Sequence, residues 1–235
     1  PFHDANLVAK VCKLIRDIKP QCLVLSGDFM DLFTLGRHAA GSLAKLRGLT
    51  LSQEYRAGRE VITGIAAGAK HSAAGAMHYL YGNHEDRYLR FMADGDAGKL
   101  GEELTSPEDG LRIRDLFHVH TDWQNDSIQI GAHLEVIHGT YLNDHAAKKH
   151  LDNFAGSVVF GHSHRFQTYV NGKRGAYNIG FLGDRDSIGF SYAPRWTRSK
   201  WVNGFAVVYT MDNGDFLVNA VQCWGGKFVF NGRVY

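Results

Sequence analysis

Cysteine is scarce in this chain: Cys12, Cys22 and Cys223 are the only three in 235 residues, and none forms a CxxC pair. An odd, scattered set does not make a disulfide framework and fits a reducing compartment, so a cytoplasmic location is expected. Cys12 and Cys22 fall inside apolar patterns, where a thiol serves as a small hydrophobe. Long apolar runs are missing too. None approaches the roughly 18 residues of a membrane span, and no signal-peptide pattern stands at the start, so no membrane partner is expected. Charge is nearly balanced at a formal +2, which neither demands nor excludes a nucleic-acid partner. No internal repeat, low-complexity tract or linker divides the chain. A length of 235 residues suffices for one core, and a single domain over 1–235 is the expectation.

What is present is a succession of short apolar runs separated by amphipathic stretches. Asp4 is placed to cap a helix whose face is Leu7, Val8, Val11, Cys12, Ile15 and Ile18, and which Pro20 ends. Cys22–Leu25 reads as a short buried parallel strand. Helix, strand and polar turn are most of a βαβ unit whose first strand belongs before residue 1. Residues 36–50, rich in Gly, Ala and Ser, suggest a loop or broken helix. Thr50 and Gln53 then form a capping box opening a helix to about Ala67. Ala76–Tyr81 is the next buried strand, 86–92 starts a helix, and the punctuation of 93–110 suggests an exposed insertion. From 117 the pattern is mostly β: runs at 117–120, 127–130 and 133–137 with a turn at Gly131, then 157–160, 166–170, 175–179, 204–210, 215–222 and 227–231. Residues 143–151 are a polar helix candidate. Asn171-Gly172 and Asn213-Gly214 are hairpin signals.

The chemistry-bearing residues sit where these strands end. Gly27-Asp28-Phe-Met-Asp31, Gly82-Asn83-His84-Glu85, His138-Gly139 and Gly161-His162-Ser-His164 each follow an apolar run. In open α/β sheets ligands bind at the carboxyl ends of strands, so side chains distant in sequence can converge there. Imidazole, carboxylate and amide oxygen together suit first-row divalent metals. His38, His71, His78, His118, His120, His133, His145 and His150 carry no such motif and are read as structural.

These blocks resemble the calcineurin-like metallophosphoesterase superfamily, in its bacterial and phage-type branch. Its pattern is D-x-H, G-D-x-x-D, G-N-H-E/D, a further H, and G-H-x-H, of which all but the first stand here in order over residues 27–164. The resemblance implies a four-layered α/β sandwich, two mixed β-sheets flanked by helices, with two divalent metal ions (Mn, Fe, Zn or Ni, with Mn favoured) at the strand ends. By it, Asp28 bridges both metals, Asn83, His138 and His162 complete one shell, and His164 binds the other metal. His84 is the catalytic group that meets the leaving oxygen, and Asp31 and Glu85 orient ligands. For those two carboxylates, a helix N-terminal role near the dipole is the competing reading. Arg165 is placed to meet a substrate phosphate. The implied activity is hydrolysis of phosphodiester or phosphomonoester bonds by a metal-bridging hydroxide, the cations roughly 3.5–4 Å apart.

The D-x-H block is missing. Either the sequence starts a few residues late, which is the favoured reading, or only one metal site is complete. Asp31 is followed by Leu32-Phe33 rather than Arg-Gly, which disfavours the protein Ser/Thr phosphatase branch. A metal-poor, non-catalytic binding module is the alternative from a different class. Nucleic acid stands among the candidate partners because 184–201 mixes basic and aromatic groups, Asp184, Arg185, Asp186, Arg195, Trp196, Arg198, Lys200 and Trp201, around Pro194; the competing reading is a solvated connection whose tryptophans pack on the core. Substrate identity and oligomeric state carry no sequence signal.

Overall fold

The apolar runs pair into four separate β units in the computed structural model, which describes residues 2–36, 48–69, 76–94 and 104–235. Strands β1 (Leu23–Leu25), β2 (Met77–Leu80) and β3 (His118–His120) form a wholly parallel sheet in the order β1-β2-β3. Five more make a mixed sheet of order β4-β5-β6-β8-β7: β4 (Ile128–Ile130), β5 (Leu134–Val136), β6 (Ser157–Phe160), β7 (Phe166–Asn171) and β8 (Arg174–Ile179). Its β5-β6-β8 centre is parallel and its edges are antiparallel. β9 (Gly204–Thr210) with β10 (Phe216–Gln222), and β11 (Val229–Phe230) with β12 (Arg233–Val234), are antiparallel pairs. The helices are α1 (Ala5–Ile18), α2 (Leu51–Ala69), α3 (Asp86–Ala93), α4 (Pro107–Leu111), α5 (Ala146–Asn153) and α6 (Arg195–Arg198). The protein is mixed α/β, with helices and several sheets.

Local signals act as expected at several ends. The Asp4 carboxylate accepts from Leu7 N at 3.0 Å and starts α1. Thr50 and Gln53 exchange bonds, Thr50 N donating to Gln53 Oε1 at 2.8 Å and Gln53 N to Thr50 Oγ1 at 3.2 Å. Gly131 lies in the β4–β5 hairpin connection. Among the described residues, no helix is long and apolar enough to cross a membrane.

Three expectations need correcting. β1 is half-buried rather than buried, because among the described residues it pairs only with β2 and its Val24 and Leu25 line a cavity. The expected exposed insertion at 93–110 holds a docked helix at its end. Pro107, Gly110 and Leu111 of α4 are buried, and a Cβ on Gly110 would lie 2.5 Å from the Tyr55 ring of α2. Helix α5 is amphipathic rather than polar, burying Ala146, Ala147, His150 and Leu151 against Val158, Phe160 and Ala176. The Gly/Ala/Ser-rich stretch falls largely on 37–47, and part of the insertion on 95–103, outside the described residues.

The core that matters for the site lies between the sheets. Leu80, with Val24, packs against Ile128, Leu134, Val136 and Val159, and Ala206, Val208, Phe216 and Val218 close the same cluster. Helices α1 and α2 cover the other side of β1, with Leu23 and Leu25 against Val8, Val11, Ile15 and Ile65. Packing on both faces brings the ends of β1, β2, β5 and β6 to one place.

Candidate metal centre

Three of the expected donors leave their strands on a left-handed backbone. Asp28, His162 and His164 have φ of 53°, 28° and 56°, a left-handed region that non-glycine residues enter at a cost and that concentrates at functional sites. Two glycines permit the close approach. A Cβ on Gly82 would stand 2.1 Å from Asp28 Oδ1, and one on Gly27 would stand 2.4 Å from His138 Nδ1. Any side chain there would push the donors apart.

Four donors meet. Asp28, His138 and His162 each offer a ligand atom within 4.8 Å of the others. His138 Nε2 faces His162 Nδ1 at 3.0 Å, Asn83 Oδ1 at 3.2 Å and Asp28 Oδ2 at 3.4 Å. On its other side, His138 Nδ1 lies 2.9 Å from the Ser26 carbonyl, which only accepts, so Nδ1 carries the proton and neutral Nε2 presents a lone pair. Acceptors turned on one another hold together around a shared proton or positive charge: the Nδ1 proton of a neutral His162, a second proton on His138, or a cation. An imidazole, carboxylate and amide-oxygen set is suited to a first-row divalent ion, so the residues present fit a metal.

The titration behaviour follows from the same geometry. Burial favours neutral Asp28, yet the charges of His138 and His84 hold its carboxyl well below the ordinary value. Burial opposes a charged His138, but the Asp28 carboxylate and its hydrogen bond raise the imidazole. His162 falls to about 3 through burial and the neighbouring His138. His164 falls to about 4, chiefly through burial. Both rings are therefore neutral near pH 7, the form that ligates.

His164 stands apart from the four. It lines the same cavity as Asp28 and His84, stacked on Phe181 at 4.6 Å and edge-on to Trp201 at 4.7 Å. That cavity, about 260 Å³, runs from Phe2 and His3 past Asp28 to Phe205.

His84 is buried and its Nδ1 is ion-paired with Asp31 Oδ1 at 2.7 Å. Burial works against its charge, but Asp28 and Asp31 together raise its pKa above the ordinary imidazole value. Asp31 in turn stands 3.6 Å from Arg87 Nη1. Glu85 reaches back from the start of α3 and accepts from Asp28 N at 3.0 Å, Met30 N at 2.8 Å, Gly82 N at 2.8 Å and the Tyr79 hydroxyl at 2.8 Å. It makes no side-chain cap on its helix. The carboxylate clamps the Asp28 turn to the end of β2.

Arg165 is turned to Asp144, which also takes Lys200 at 3.1 Å, so the phosphate-facing guanidinium expected from the sequence is engaged elsewhere. The 184–201 segment divides its aromatic residues. Trp201 packs with Phe190 and Phe181 in the core, whereas Trp196 is 69% exposed. Sequence reasoning missed Trp123, whose ring lies 5.9 Å from His138 and 6.2 Å from His162. It follows the end of β3, so the strand-end rule that found the donors also reaches it.

No protein-family model matches this chain, and no curated protein does.

Proposed function

We propose that the chain is a metal-dependent phosphoric ester hydrolase of the metallophosphoesterase kind, with a preference for phosphodiesters. The observation that carries this reading is the meeting of Asp28, Asn83, His138 and His162 lone pairs beside a buried, acid-paired His84. The layering supports it as well, with α1 and α2 packed on the parallel sheet and α5 on the mixed one; we read this as a four-layered sandwich. Two divalent ions, with manganese favoured, supply Lewis acidity and lower the pKa of a water.

Asp28, Asn83, His138 and His162 would hold one ion, and His164 with Asp28 would contribute to the second. The residues around them position and move protons. Glu85 fixes the Asp28 turn, and Arg90 Nη2 donates to the Asn83 carbonyl at 2.8 Å, so both ligands are held from behind. With Nδ1 of His84 taken by Asp31, Nε2 is the nitrogen left to give its proton to the leaving oxygen. Trp123 walls the donor set, and the Phe181, Phe190 and Trp201 cluster keeps water from the His164 side. The substrate is a phosphate ester, and nucleic acid belongs to that class through its diester backbone.

Turnover of bis(p-nitrophenyl) phosphate, p-nitrophenyl phosphate and single-stranded DNA with added Mn²⁺, alongside metal content per chain, tests the reading. Two metals and diester turnover are expected. Turnover of the monoester alone would move the protein towards the phosphatases. No turnover with one metal or none would make it a binding module.

A further inference from the structure

The three histidines that carry no motif on β2 and β3 come together in the fold. His78 is paired with His118 across the parallel ladder, and Leu80 with His120. Side chains alternate along a strand, so His78, His118 and His120 all stand on one face. His78 Nδ1 and His120 Nε2 are 3.3 Å apart. The ring centroids of His118 and His120 lie 5.4 Å and 5.5 Å from that of His78. His118 is exposed, the other two half-buried.

We propose that His78, His118 and His120 form a second metal site, separate from the Asp28 centre, that takes a zinc-class divalent cation (Zn²⁺, Ni²⁺ or Cu²⁺). The spacing is the first reason. Two nitrogens on one tetrahedral Zn²⁺, each at about 2.0–2.1 Å, stand about 3.3–3.4 Å from each other, which is the His78–His120 separation. His118 is exposed, with its ring against that of His78, and the site requires that ring to turn about χ1 and χ2 so that a nitrogen faces the other two. Ligand chemistry is the second reason. Three neutral imidazoles suit Zn²⁺, Ni²⁺ and Cu²⁺ and not the oxygen-seeking Mg²⁺ or Ca²⁺. An exposed edge leaves the fourth position to water.

This site does not depend on the hydrolase reading. His78 is the second residue of β2, whereas Asn83 lies three residues beyond that strand's end. The test is equilibrium dialysis against Zn²⁺ after chelator stripping, on the unmodified chain, on His118→Ala/His120→Ala and on Asp28→Asn/His162→Ala. The first variant is expected to bind one zinc fewer than the unmodified chain while keeping its phosphodiester turnover. The second is expected to keep that zinc. Equal zinc in the unmodified chain and the His118/His120 variant overturns the proposal. If that variant does not fold, Ni²⁺ added to Asp28→Asn/His162→Ala gives the answer by NMR. Broadening of the His78, His118 and His120 imidazole protons upholds the site, and unbroadened signals sink it.

Discussion

Asn83, His84 and Glu85 are adjacent, yet each side chain leaves in a different direction with a different task. Asn83 turns its oxygen to the donor set, His84 pairs with Asp31, and Glu85 accepts from the Asp28 turn. His84→Ala should therefore lower kcat for bis(p-nitrophenyl) phosphate by about 10²–10⁴, the usual share of a general acid, while manganese per chain stays constant. Metal lost in proportion to activity would instead make His84 a ligand. Gly82→Ala tests the opposite combination. Its new Cβ would meet Asp28 Oδ1 at 2.1 Å and must displace the carboxylate, so metal content and turnover should fall together. Circular dichroism on the same sample shows whether the fold survives; retained metal in a folded Gly82→Ala protein would contradict the crowding argument.

At the scale of elements, the turn after Asp28 is held by a helix remote in sequence. Glu54, buried on α2, accepts from Phe33 N at 2.8 Å, from Thr34 N at 3.0 Å and from Thr34 Oγ1 at 2.7 Å. Removing a partner that leaves a buried N–H without an acceptor costs about 1–3 kcal/mol. Glu54→Ala should cost at least that much in urea unfolding, and Thr34→Ala, which leaves both backbone bonds in place, clearly less. Equal costs would mean that the backbone bonds contribute little. This clamp also shows which features the sequence makes legible. The Asp4 cap, the Thr50–Gln53 box and the turn at Gly131 are decided within a few residues, and they are readable from spacing alone. Asp28, Asn83, His138 and His162 are readable as candidate donors because each ends an apolar strand. Glu54 sits in a helical pattern with no sign of its acceptor role, and His78 shows nothing until β3 lies beside β2. The docking of α4 on Tyr55 and the half-burial of β1 depend on which surfaces meet. Trp201 and Trp196 are five residues apart in one basic stretch, and only packing separates the core ring from the exposed one.

For the molecule as a whole, the site depends on the layers keeping their register. Leu80 is 1% exposed, lies two residues before Gly82, and belongs to the cluster that joins the parallel sheet to the mixed sheet and to β9–β10. Leu80→Ala should cost about 2–5 kcal/mol, because a rigid inter-sheet contact collapses only partly around the cavity. If 1–235 is one cooperative domain, the loss should move a single urea transition, with far-UV circular dichroism and tryptophan fluorescence reporting the same midpoint. Fluorescence then reports the core around the site, since Trp123 sits beside the donor set and Trp201 packs with Phe190 on the His164 side. Two midpoints would divide the chain into independently unfolding parts. Metal affinity then becomes part of the same measurement: a cation held only by the folded donor set should raise the midpoint of the unmodified chain. It should raise that of Leu80→Ala too, whereas for Asp28→Asn/His162→Ala the rise should be much smaller.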